Sequence, residues 1–210
     1  MDEHERWVLE AAVDLKLPVR VITGPDAGQR LNRPHHGLDP EGVIEVLRRL
    51  LRQGAIALFR DGQDQHHQAE EDLRAVVEQG HAGPSPPGSC FYGLTASGGE
   101  LWEAVAQPAW ARYLDASYGI DPNDAEVICA DPVRLNHYVS SKYQQYRPIS
   151  GTVCRDHVKP WQATYWKMLP LGHRIRYSYD PDDRSRPQGI GNYLLERAAW
   201  YQEANEWFIR

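Results

Sequence analysis

The chain has 210 residues, of which 41% are apolar and 25% charged, and a formal net charge of −6. That composition suits a globular protein able to bury its own core as one large domain or two small ones, and it excludes fibrous and low-complexity chains. No run approaches the roughly 18 apolar residues of a membrane helix, so no membrane partner is expected. The start, Met1-Asp-Glu-His-Glu-Arg, lacks an apolar leader, and the three scattered cysteines (Cys90, Cys129, Cys154) fit free thiols; both point to a cytoplasmic protein. The charge is uneven: −2 over 1–39, −5 over 40–117 and +1 over 118–210. An acidic body supplies no general attraction to phosphate. Seven Trp and eleven Tyr against three Phe give half-buried, amphipathic aromatics, suited to a core and also to a contact surface.

In chain order, Trp7, Val8, Ala11, Ala12 and Leu15 form one helical face over Glu3 to Leu15. Val19 to Thr23 reads as a short extended run, followed by a Pro/Gly/His loop. Asp39-Pro40-Glu41 is a strong helix start, and the helix to about Gln53 presents Val43, Ile44, Leu47, Leu50 and Leu51 on one side. Gly54 is placed to end it, and Ala55 to Phe59 reads as a strand. Residues 62–67 are polar, 70–79 fit a short helix, and 81–89 are a Pro/Gly loop; this stretch is expected to be an insertion. Cys90 to Leu94 then forms a strand running into a helix from about Ser97, with Leu101, Trp102 and Val105 as its apolar face. Pro108 restarts a helical segment that packs Trp110, Tyr113 and Leu114 and ends at Gly119.

The second half changes period. Val127 and Cys129 alternate in one expected strand, and Val133, Leu135, His137 and Val139 in the next, after Pro132. Trp161 to Met168 and His173 to Tyr179 read as a hairpin. Asp180 to Gly191 is a charged loop, and Asn192 to Phe208 a final amphipathic helix.

The order helix, linker, helix ending in Gly, strand, excursion, strand with Tyr-x-Leu-Thr-x-x-Gly, helix resembles a winged helix-turn-helix. The nearest likeness is to the wing of MarR- and PadR-like bacterial regulators, over about residues 3–117. Leu50-Leu51-Arg52-Gln53-Gly54-Ala55-Ile56 would leave the motif's helix and enter the wing. Tyr92, Leu94, Thr95 and Gly98 would form the returning strand and its turn. The chain departs from that family in its long excursion between the wing strands and in its acidity, where a DNA reader places Lys and Arg. Only Arg48, Arg49, Arg52 and Arg60 stand as phosphate contacts. The string Gly-Leu-Thr-x-x-Gly-Gly-x-x-Trp-Glu also resembles a bacterial family signature, which implies no activity.

Candidate chemistry is sparse. Cys154-Arg-Asp-His157 has a C-x₂-H spacing that, with Cys90 and Cys129, would make a Cys₃His zinc set, yet no paired cysteine knuckle supports it. A Cys154–His157 nucleophile pair lacks an orienting third group. His35-His36 and His66-His67 are expected in solvent. Asp180, Asp182 and Asp183 read as a solvated turn, and Gly189-Ile-Gly191 as a loop, each in preference to a ligand site. Tyr92, Leu94, Trp102 and Trp110 are expected in the core. On the strand His173 to Tyr179, Arg174 and Arg176 share one face and Ile175, Tyr177 and Tyr179 the other. Lys159, Lys167, Arg184 and Arg186 are placed to extend a basic face beside aromatics, which competes with a plain solvated sheet face.

The sequence therefore predicts an α+β protein: a winged-helix-like half (1–117) with a long wing insertion, and a small antiparallel sheet plus C-terminal helix (118–210). Its expected role is non-enzymatic binding of a protein or peptide, the wing edge offering strand addition. DNA-binding regulation with a C-terminal sensing half is the alternative, which the acidity disfavours. The expected contacts are Arg48, Arg49, Arg52, Arg174, Arg176 and Lys167, with no catalytic residue, metal or cofactor.

Overall fold

The structure, a computed structural model, describes residues 1–24, 26–31, 34–60, 63–67, 73–74, 90–119, 123–142 and 146–180; for 29, 60 and 63–67 it describes the backbone. It is mixed α+β, with antiparallel sheets. Contacts divide it into two units: Met1–Gln107 with Thr164–Lys167, and Pro108–Ala163 with the residues from Met168.

The first unit runs α1 (Glu3–Ala11), β1 (Leu17–Pro18), α2 (Val19–Thr23), α3 (Ala27–Arg30), α4 (Pro40–Arg52), β2 (Ile56–Arg60), β3 (Gln63–His67), β4 (Cys90–Leu94) and α5 (Ala96–Ala106). Asp2 caps α1 in a reciprocal box with Glu5, so two orphan amides are satisfied at once. Asp39 caps α4 and Pro40 opens it. Gly54 then turns the chain out at φ +66°, a conformation that costs glycine little. Val43, Ile44, Val46, Leu47 and Leu50 of α4 are buried, as periodicity requires. Its sheet has the order β1-β4-β2-β3.

Several expectations fail here. Val19 to Thr23 is helical, because the extended register ends at Pro18, where β1 leaves β4. The polar run Gln63–His67, part of the expected insertion, is a strand paired to β2. Val105 is 48% exposed; α5 buries Gly98, Gly99 and Trp102 instead. Tyr92, Leu94 and Trp102 are core, whereas Trp110 is half-buried. His36, expected in solvent, is buried, its ring edge against Trp7 and one ring nitrogen on Ile22 O, while His35 is exposed.

The glycine-rich string has a packing cause. Thr95 caps α5 by accepting the Gly98 amide, and its hydroxyl reaches the Gly54 carbonyl. A Cβ on Gly98 would overlap the Ala55 carbonyl, and one on Gly99 would overlap the Trp166 ring. Trp166 lies in Thr164–Lys167, the segment that completes this unit. Its indole N–H donates to Val13 O (2.9 Å) and its ring meets Trp102 edge-on. Tyr165 accepts from the Leu94 amide (2.6 Å) and donates to Ala12 O (2.7 Å). Gly-Gly thus makes a helix flat enough to lie on a backbone and an indole.

The second unit contains a 3₁₀ turn (Trp110–Arg112), β5 (Leu114–Tyr118), β6 (Asp124–Cys129), α6 (Pro132–Lys142), β7 (Cys154–Val158), β8 (Trp161–Gln162), β9 (Met168–Leu169) and β10 (Gly172–Ser178). The main sheet has the order β5-β6-β10-β7, all antiparallel. Leu135, Tyr138 and Val139 of α6 pack on Leu114, Ala116, Ala125, Val127, Cys129, Ile175, Tyr177 and Tyr179.

Leu114 to Tyr118 is a strand, so the helical segment predicted to end at Gly119 closes after one turn. Pro132 to Val139, expected to be a strand, is a helix. Asp131 accepts from the amides of Val133 and Arg134, and proline stands first in the helix, the same start signal as Asp39-Pro40. Val133 is 75% exposed, which breaks the apparent two-residue alternation. The hairpin expected between 161–168 and 173–179 is also absent: β8 pairs with β9, and β10 pairs with β6 and β7. The predicted helix at 70–79 (apart from residues 73–74), the loop at 81–89 and the elements from Pro181 onward lie outside the described residues.

Candidate functional site

A concavity lies on the second unit's sheet, on the face opposite α6. Strand alternation and register put Asp115 and Ser117 (β5), Asp124 and Glu126 (β6), Arg174, Arg176 and Ser178 (β10), and Cys154 and Asp156 (β7) on that face. At the Gly172 end it is closed: a Cβ on Gly172 would meet Ile128 and Trp161, both buried, and Trp161 packs near Tyr113. At the other end it opens into a cleft of about 490 Å³ lined by Asp124, Ala125, Glu126, Thr152, Cys154, Arg176, Tyr177 and Ser178.

The predicted alternation on β10 holds, with Ile175, Tyr177 and Tyr179 buried behind the two arginines. The face is not basic, however. Four carboxylates share it with two arginines. Arg174 grips Asp156 through two bonds of 2.7 Å and reaches Glu126 at 3.3 Å, and Arg176 adds a bond to Asp156 at 3.0 Å. Hydrogen bonding from Arg174 holds the Asp156 carboxyl down at about 2, and the same contact raises the Arg174 guanidinium above its usual range. Lys167 belongs to the first unit and pairs with Glu103.

The arginines of α4 are also engaged. Arg49 meets Asp2 at 2.7 Å and Glu5 at 3.4 Å, and Arg48 stands 4.0 Å from Glu45. Arg52 is exposed at the helix end and is not without a partner. Arg74 pairs with Glu41 on the same helix. The helix therefore shows a mixed surface of paired charges.

Cys154 and His157 do not meet. Three residues apart on a strand, they point to opposite faces, Cys154 to the polar cleft and His157 to the α6 side. Cys129 is buried behind the sheet, which pushes its thiol up, and Cys90 belongs to the first unit. Among the described residues no three His, Cys, Asp or Glu are grouped to hold a metal ion. His66 and His67 have no described side chains, and of the Asp180, Asp182, Asp183 turn only Asp180 is described. Arg184, Arg186 and Gly189-Ile-Gly191 are outside the described residues.

Two features escaped the sequence. The strands β2 and β4 are both interior, so the predicted wing edge is occupied, and β3 takes the outer place. In the second unit's sheet β5 and β7 are the outer strands among the described residues, and on β7 Cys154, Arg155 and His157 are exposed with no proline or lysine between them. Beneath the sheet, Tyr118, Tyr138 and Tyr177 bring their hydroxyls together, and burial pushes the Tyr118 hydroxyl far up. Comparison with family models, with curated proteins and with solved structures finds no match to this chain.

Proposed function

We propose that the protein is a non-enzymatic, cytoplasmic binding protein whose first unit is a winged-helix-like docking module for a protein or peptide. The reading rests on the pairing of the α4 arginines Arg48 and Arg49 with carboxylates. Phosphate binding draws on unpaired Lys and Arg that release counterions, and a helix whose arginines sit on Asp2, Glu5 and Glu45 has little to offer it. A protein surface tolerates such mixed charge and uses it for register. The winged-helix component is supported by helices followed by a sheet whose returning strand lies between β1 and the outgoing β2. Strand addition, expected at the wing, has no place on the interior β2 and β4; in this reading the second unit adds a contact of that kind at β7, outermost in its sheet among the described residues and without proline or lysine. Three free thiols fit a reducing compartment.

The test is direct. A partner captured from the native host should, once purified, form a stoichiometric complex that Arg52→Glu weakens, and the pure protein should show no sequence-specific DNA retention at low or moderate salt. Specific retention of its own upstream DNA at both salts would replace this reading with the regulator.

A further inference from the structure

We propose that His157 of β7 and His173 of β10 form a two-imidazole site for a divalent transition-metal cation of the zinc, nickel or copper class. The two residues are direct cross-strand partners, and their ring centroids lie 4.9 Å apart at an interplanar angle of 67°. A tetrahedral ion with metal–nitrogen bonds of about 2.0–2.1 Å holds two imidazole centroids roughly 5 Å apart. The backbone register makes the two rings neighbours, and rotation about the side-chain bonds can aim one nitrogen of each ring at a common point.

A second observation separates this pair from the other adjacent histidines. His36 uses both ring nitrogens, one on Ile22 O and one accepting the Leu38 amide, and His35 accepts the Gly37 amide. Among the described residues no hydrogen bond engages a ring nitrogen of His157 or His173. Ring nitrogens with no hydrogen bond to a described residue are available as ligands. Imidazole selects zinc, copper and nickel over calcium or magnesium, which take oxygen. His157 is exposed on the outermost described strand of this sheet, so the ion has access from solvent, and water completes its shell. Arg155, next along that face, is turned away onto Asn136 Oδ1 at 2.7 Å.

The test uses the full chain, labelled with ¹⁵N-histidine and titrated with zinc, then with sub-stoichiometric copper(II). The His157 and His173 imidazole signals should shift together with one zinc per chain, and copper should broaden both before any other histidine. His157→Ala, on the exposed edge, should weaken zinc binding at least about tenfold and abolish the His173 response. His137→Ala, removing an exposed histidine of α6, should leave both unchanged. Independent responses of the two rings, or prior saturation at other histidines, would overturn the site. An unfolded His157→Ala would leave the copper broadening in the unaltered chain as the deciding measurement.

Discussion

The two glycines of α5 provide a quantitative test of why this helix lies where it does. In a solvent-exposed helix, Gly→Ala stabilises by about 1 kcal/mol. Here the sign should reverse. On Gly98 the new methyl meets the Ala55 carbonyl, which also accepts the Thr95 amide at 3.0 Å, so backbone must move and a hydrogen bond is strained with it. Overpacking of that kind costs about 1–3 kcal/mol, and the immobile carbonyl places Gly98→Ala near the top of the range. On Gly99 the obstacle is a side chain, the Trp166 ring. Gly99→Ala should cost about 2 kcal/mol in the native chain, yet become stabilising by up to about 1 kcal/mol when Trp166→Ala has removed the ring. Trp166→Ala itself should cost about 2–3 kcal/mol, less than a fully buried tryptophan. Urea unfolding of the four proteins of this cycle should therefore yield a coupling near 3 kcal/mol, and Gly98→Ala should show none with Trp166→Ala. If Gly99→Ala is equally destabilising with and without the indole, the ring does not set the glycine requirement and the reasoning fails.

Two further outcomes concern titration. Asp156 should titrate at about 2, so its stabilising contribution is complete above the ordinary carboxylate value near 3.9 and is lost as the pH falls towards 2. In Arg174→Ala the carboxyl carbon should move back towards the ordinary range by NMR, and an unmoved midpoint would remove Arg174 as the cause. His36, lowered chiefly by burial, should be neutral at pH 7 with its proton on Nε2, because the Leu38 amide donates to Nδ1. Its contribution is complete above the usual imidazole value of 6.5 and is lost as acidification passes through the lower folded value; an Nδ1-protonated tautomer in ¹⁵N spectra would contradict this.

The sequence by itself determined the elements whose signals are local. Asp39-Pro40 and Gly54 bound α4 because a cap, a fixed φ and a left-handed turn act within a few residues. The strand Cys90–Leu94 and the alternation of Arg174 and Arg176 with Ile175 and Tyr177 were legible for the same reason. Asp131-Pro132 carried an equally local signal, but the accidental alternation of Val133, Leu135, His137 and Val139 masked it. Tertiary structure alone decided what lies opposite what. The arginines looked basic because their carboxylates are remote in sequence: Asp156 and Glu126 reach Arg174 only through the pairing of β10 with β7 and β6. The meeting of His157 with His173, and the separation of Cys154 from His157, follow from strand register and the two-residue pleat, which no spacing in the sequence announces. The reason for Gly98-Gly99 lies at Ala55 and Trp166, far away along the chain, since close packing is enforced by whichever atoms the fold delivers to the spot.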